Sequence, residues 1–207
     1  MKRVIAALVV LIVGSYAYVT YARLTKEVAM EKKVILVVAS NGFQEHEYQA
    51  TCNALEHAGY EVTVISDKSG VAVGHNGAHV EVNGDIASVH PSRYAALYII
   101  GGPGTIDCLD TPVMHKLLNE LFALQKPYGA ICLAPRILAH AQVLRNKKAT
   151  GWDGDGNVQD IFAKYNVVYV NEPVVVDGNV ITAHGPEAAD AFGAAIVTLL
   201  NNALSQR

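Results

Sequence analysis

From Lys33 onward the chain alternates between short apolar runs and longer segments with helical spacing. Lys33–Ser40 (KVILVVAS) is almost continuously apolar and rich in β-branched residues, as a strand covered on both faces must be. Asn41-Gly42 breaks it. Gln44–His57 then carries Tyr48, Cys52 and Leu55 at helical spacing, and Gly59 ends that helix. Glu61–Ser66 (EVTVIS) completes a βαβ unit. Residues 67–85 are glycine-rich with short alternating pieces, the pattern of a small β-hairpin excursion. Tyr94–Ile100 (YAALYII) is another buried strand, stopped by Gly101-Gly102-Pro103-Gly104. Thr111–Leu124 reads as a helix with Pro112 in its first turn.

The next apolar run ends in Cys132, with Ala130 two residues before it, Ala134 two after, and an apolar, helix-compatible segment from Arg136 to Leu144. This is the logic of a nucleophile elbow with cysteine in place of serine. The strand must turn sharply into a helix, and side chains larger than methyl at the flanking positions would clash. Pro135 fits the first helical turn. A thiol there faces unpaired N–H groups, which favour the thiolate and predict a pKa below that of free cysteine. A buried, inert cysteine at a strand end is the other reading of this stretch.

Further on, Ala149–Thr150 and Asn166–Val170 read as short strands around a polar loop, Gly151–Asn157. Val174–Val176 and Val180–Thr182 flank Asp177-Gly178-Asn179, a hairpin turn. Gly185-Pro186-Glu187 opens a last helix that runs to about Leu204. The pattern predicts an α/β three-layer sandwich with a mostly parallel sheet, in which ligands bind at the carboxyl ends of the strands. Four strand ends fall on that edge and carry Asn41–Glu47, Gly101–Thr105, Cys132 and His184. Gly102 and Leu133 are the candidate oxyanion donors through their backbone N–H groups. Glu45 and Glu47 lie in the first turn of a helix, where one of them is expected to cap. A carboxyl beside the thiolate would have its pKa raised and would donate a hydrogen bond to sulfur. Of eight histidines, His184 is the one well placed for the cleft. His75 and His79 stand four apart, but Gly74 and Gly77 argue against a helix there, and no metal site is expected.

The amino-terminal segment has a different character. After Met1-Lys2-Arg3, Val4 through Ala22 is uncharged, and as a helix it would span about 28 Å. Tyr16, Tyr18 and Tyr21 cluster at its far end. The expectation is an N-terminal hydrophobic helix that serves as a single-pass membrane anchor over 1–22, then a polar linker over 23–31 and one domain over 32–207. A cleaved signal ending near Ser15-Tyr16-Ala17, giving a secreted or periplasmic product, and a cytoplasmic domain starting at Met30 are the alternatives. Net charge −3 and the lack of a basic, aromatic-rich patch exclude a nucleic-acid partner. Three cysteines are too few for a disulfide framework and lack the paired spacing of a zinc site.

Four stretches in order, Asn41–Glu47 (NGFQEHE), Gly101–Gly104 (GGPG), Ala130–Pro135 (AICLAP) and Ile181–Pro186 (ITAHGP), resemble the successive signatures of the ThiJ/PfpI family. This family is deglycase-like and belongs to the class I glutamine-amidotransferase-like superfamily. The resemblance covers about Lys33 to Leu204. It implies a flavodoxin-like sandwich, often dimeric, that works without a cofactor. It also implies a nucleophile at Cys132, a protonated carboxyl partner at Glu47 and oxyanion donors at Gly102 and Leu133, with Gly101, Trp152 and His184 as pocket candidates. Members act as glyoxalases or deglycases on reactive carbonyls, as peptidases, as chaperones or as redox sensors. The peptidase-like branch has histidine directly after the cysteine, where this chain has Leu133. The deglycase-like branch often has histidine where Trp152 stands. His184-Gly185-Pro186-Glu187 is one residue longer than the His-x-Glu of the amidotransferases. The expected partner is a small reactive 2-oxoaldehyde such as methylglyoxal, or its adduct on protein.

Overall fold

A computed structural model describes residues 32–205. Twelve strands and six α-helices are formed among the described residues. In chain order the strands are β1 (Lys33–Val37), β2 (Asn41–Phe43), β3 (Glu61–Ser66), β4 (Gly70–Gly74), β5 (His79–Val82), β6 (Gly84–Asp85), β7 (Ala96–Ile99), β8 (Tyr128–Ile131), β9 (Lys148–Ala149), β10 (Val168–Tyr169), β11 (Val174–Asp177) and β12 (Val180–Ala183). The helices are α1 (Glu45–His57), α2 (Thr105–Leu109), α3 (Pro112–Ala123), α4 (Pro135–His140), α5 (Val158–Lys164) and α6 (Ala189–Ser205).

The main sheet has the order β11-β12-β8-β7-β1-β3-β6, parallel except for the edge hairpin β11–β12. Residues Val34–Ala39 and Ala96–Ile100 are wholly buried because helices cover both faces, which is why these strands read as unbroken apolar runs. Helices α1 and α6 pack together, α3 meets α4, and α4 meets α5. Gly193 permits the α1–α6 approach, since a Cβ there would lie 2.8 Å from Ala54 Cβ. From β1 the chain winds outward through β3 and β6, then crosses to β7 and winds the other way through β8 and β12. The order therefore reverses between β1 and β7, and a crevice opens at such a switch point.

The expected flavodoxin-like sandwich is present, with differences at particular elements. Asn41-Gly42, read as a break, belongs to β2 and joins the β4–β5 hairpin in a three-stranded sheet of its own. The elbow helix stops at His140 instead of Leu144, where Gln142 takes φ 62 and turns the chain. Helix α5 was hidden behind the polar loop that precedes it. Its start depends on a side chain, with Asp153 Oδ1 accepting from Val158 N–H at 2.8 Å.

The membrane assignment is corrected. Val4–Ala22 lies outside the described residues, and among those described no helix is long and apolar enough to cross a membrane. The longest described helix, α6, has 17 residues and turns Phe192, Ile196 and Leu200 inward while Asn201 and Asn202 are exposed. A helix with one apolar face is a packing element of a globular domain. The transmembrane span, the membrane partner and the single-pass localisation are unsupported.

Candidate active site

Cys132 follows β8 directly and takes φ 64, a left-handed conformation that a residue with a side chain adopts only under constraint. Its neighbours supply the constraint. Cys132 N–H donates to Ala183 C=O at 3.0 Å, Trp152 N–H donates to Cys132 C=O at 2.8 Å, and Ala134 N–H donates back to Ile131 C=O at 3.2 Å. Ala130 and Ala134 are both fully buried, which leaves no room for larger flanking groups. The elbow geometry expected from small residues on either side of Cys132 is the one observed.

Three elements bring their residues to this thiol. The backbone N–H groups of Leu133 and Gly102 point at it, and the Glu47 carboxyl adjoins it. Gly102 reaches this position at φ 126, in contact with β2, where a Cβ would fall 2.4 Å from Gly42 C=O. Glu47 comes from the first turn of α1 and is fully buried. Its Oε2 accepts from Gly101 N–H at 2.9 Å, while Oε1 is buried without a partner among the described residues.

The two glutamates of the α1 start divide differently from the expectation that one caps. Gln44 caps the helix, its Oε1 accepting from the N–H groups of His46 and Glu47 at 2.6 and 3.3 Å. Glu45 instead reaches the β4–β5 turn and accepts from Asn76 N–H and Nδ2, at 3.0 Å for the latter. Glu47, with no cap to make, is free to enter the crevice.

Burial pushes the Glu47 carboxyl up to about 8, against the hydrogen bond from Gly101. Burial and a charged Glu47 push the Cys132 thiol up to about 12, while the Leu133 and Gly102 N–H groups pull it down. The expectation of a thiol below the free-cysteine value is not met: burial alone raises it, and an ionised Glu47 raises it further. The two groups act on each other, so the pair titrates as a unit. A stability consequence follows from Glu47. In an unfolded chain the carboxyl would ionise near its ordinary value of 4.5. Between that pH and about 8 the folded state holds the extra proton, so the Glu47 contribution to stability is fully present below pH 4.5 and is lost as pH rises to about 8. Chemical denaturation of wild type across this window should show a loss of several kcal/mol on an order-of-magnitude scale, and Glu47→Gln should flatten it. An unchanged slope in Glu47→Gln would mean that Glu47 does not carry the proton.

Gly101 stands between Cys132 and Glu47. His184 follows Ala183, the register partner of Ile131, so its backbone flanks Cys132. Its imidazole pairs with Glu187, Nδ1 to Oε1 at 2.6 Å, so the longer His-x-x-Glu spacing still permits contact. Trp152 meets the elbow through its main chain. Among the described residues no group of three or more His, Cys, Asp or Glu is arranged to hold a metal ion. His115 and His140 share one carboxylate: Asp110 bridges His115 Nε2 and His140 Nδ1, each at 2.6 Å. Arg136 and Asp155, beside the elbow, were not singled out at all. They are 19 positions apart, and no sequence period links them.

A cysteine elbow beside the switch point of a doubly wound sheet, with a buried carboxyl against the thiol, defines a narrow class of α/β proteins. The chain belongs to the DJ-1/PfpI family, whose model matches residues 32–199. An uncharacterized protein of Methanocaldococcus jannaschii is 34% identical over 194 residues, 93% of this chain and 94% of that protein. Deglycase PfpI of Pyrococcus furiosus is 30% identical over 168 residues, 80% of this chain and 98% of that enzyme. Among solved structures, a ThiJ/PfpI domain protein from Brachyspira murdochii superposes with TM-score 0.78 at 28% identity, over 83% of this chain and 97% of its own. Drosophila melanogaster DJ-1beta superposes with TM-score 0.74 at 26% identity, over 82% of this chain and 90% of its own.

Proposed function

We propose that the protein is a cysteine-dependent, cofactor-free glyoxalase or deglycase acting on small 2-oxoaldehydes such as methylglyoxal, or on their adducts. The observation that carries this reading is the buried Glu47 carboxyl set against Cys132, with two backbone N–H groups aimed at the same sulfur. The name of the Pyrococcus relative, a deglycase, agrees with it. In the proposed reaction the Cys132 thiolate adds to the aldehyde carbon, and the carbonyl π pair moves to oxygen. The Gly102 and Leu133 N–H groups hold that oxyanion. Glu47 gives its proton to the oxygen, completing a hemithioacetal. The resulting carboxylate then takes the proton from the former aldehyde carbon, and the electron pair passes to the ketone oxygen, giving an enediol as that oxygen is protonated. Glu47 returns a proton to the second carbon while the hydroxyl on the first carbon gives up its own proton and becomes the thioester carbonyl. The first carbon is oxidised to a thioester and the second reduced to an alcohol, with no net redox change. Water releases the thiol and lactate.

The test is direct. The purified full chain, given methylglyoxal without added cofactor, should produce lactate as the aldehyde disappears. A second reading has one observation behind it: Glu47 Oε1 is buried with no partner among the described residues, which supports a role in holding an oxygen of Cys132 sulfinate, as a redox sensor or chaperone would need. No lactate, together with stoichiometric sulfinate at Cys132 under peroxide, would favour that reading. Peptidase activity should be absent or very weak. The groups facing the thiol are Glu47, Gly102 and Leu133, and no imidazole is among them to take the thiol proton and pass it to a leaving amine. Casein cleavage that is lost in Cys132→Ala would overturn this.

A further inference from the structure

Arg136 is a charged side chain only 7% exposed, in the first turn of α4. Its Nη1 and Nη2 donate to the two Asp155 oxygens at 2.8 and 2.6 Å, and Nη2 also donates to Trp152 C=O at 3.1 Å. The guanidinium carbon stands 5.9 Å from the centre of the Trp152 ring. Taking a guanidinium out of water offsets much of what an ion pair contributes to stability. What a two-pronged pair supplies is direction, because both partners are planar and the fork fits one way.

The direction is imposed on residues 151–157, the segment that lies on the elbow. Trp152 N–H closes on Cys132 C=O at 2.8 Å. A Cβ on Gly151 would come within 3.3 Å of that same oxygen. A Cβ on Gly154 would fall 2.2 Å from the indole, so glycine is needed for the ring to lie between Gly154 and Arg136. Asp155 Oδ1 turns the chain once more by accepting from Asn157 N–H at 3.2 Å. An unbroken path thus runs from Arg136 through Asp155 and the Trp152 main chain to the one residue of the elbow with a left-handed φ.

We propose that Arg136 and Asp155 are positioning residues that hold residues 151–157 on the elbow, so that Trp152 N–H fixes the Cys132 carbonyl and keeps Sγ aimed at the Gly102 and Leu133 N–H groups. The proposal rests on the reading of Cys132 as the nucleophile and extends the functional unit to a segment that touches no reacting atom. Trp152 is the only tryptophan of the chain, so its fluorescence reports the segment's position without interference.

Asp155→Asn and Arg136→Lys in the full chain test it. Each removes the fork and keeps the approximate volume. Expected are a red shift of tryptophan emission, iodoacetamide labelling of Cys132 that moves to higher pH, and labelling at pH 7 slowed on the order of tenfold to a hundredfold. In methylglyoxal turnover the loss should fall on kcat, with KM little changed. Asp155→Glu, which keeps a fork partner, should recover part of the labelling rate. If Arg136→Lys does not fold, Asp155→Asn decides, because Asp155 is 35% exposed and its loss leaves a smaller defect. Folded variants with wild-type labelling profiles would overturn the proposal, whatever the emission does. Labelling and emission need no substrate. A wild type that converts no methylglyoxal would therefore fail the proposed activity while leaving the positioning role to be judged on the thiol alone.

Discussion

Glu47→Gln is expected to abolish methylglyoxal turnover, by at least about a hundredfold, while leaving Cys132 open to alkylation. The amide still fills the buried site and still offers an N–H to the sulfur, but it can neither protonate the oxyanion nor carry hydrogen between carbons. Glu47→Ala removes the donor as well, so thiol reactivity should fall together with turnover. The pH profile of the wild type separates these roles. The working form has one proton shared by the pair. It forms as the first proton leaves past the Glu47 value of about 8 and is lost only as the second leaves towards the Cys132 value of about 12. Turnover should therefore rise through about pH 8 and fall only at the far alkaline end, whereas alkylation, which needs only a thiolate, should keep rising there. If turnover is unchanged across pH 8, Glu47 is not the proton carrier. His184, backed by Glu187 at 2.6 Å, would then be the first group to test.

Gly101→Ala should be nearly as damaging for a different reason. A Cβ there would lie 2.5 Å from Cys132 Cβ and 2.8 Å from Glu47 Oε2, closer than any real contact. Something must move, and the nearest groups are the two on which the proposed chemistry depends. The overpacking should cost about 1–3 kcal/mol of stability and remove essentially all turnover. Gly70→Ala is the control. That glycine has φ +107 and nothing within 4 Å of the added Cβ, so backbone strain should cost about 1–2 kcal/mol and leave turnover as it was. Thermal denaturation and turnover of the two variants check both claims. Equal activity in Gly101→Ala and wild type would mean that the crevice between Cys132 and Glu47 is looser than the structure shows.

Much of the fold was legible because its strands are buried on both faces. β1, β7 and β8 announce themselves by composition alone, and small residues flanking Cys132 mark the elbow. The βαβ order of apolar runs set the layers, and the Asp177-Gly178-Asn179 turn set the edge hairpin. What the sequence concealed depends on contacts between distant side chains. Asn41-Gly42 looks like a break until β4 arrives beside it. α5 has no apolar stripe long enough to stand out, and Asp153 starts it. The two glutamates of α1 are equivalent by position in the first turn, and it is Gln44, by capping, that frees Glu47 for the crevice. The thiol pKa was misjudged because local geometry at a helix start favours the thiolate, while burial and the facing carboxyl do not. The amino-terminal hydrophobic run was read by length and composition, which describe a span well and say nothing of whether a helix forms.

The most direct measurement is methylglyoxal conversion by the purified full chain beside its Cys132→Ala variant, in buffer free of added thiol or cofactor. The substitution removes the sulfur and leaves the Gly102 and Leu133 N–H groups and Glu47 in place. The account predicts lactate from wild type and none above the uncatalysed rate from Cys132→Ala. Lactate from both at similar rates would contradict it, because the chemistry would then proceed without the elbow on which the site is built.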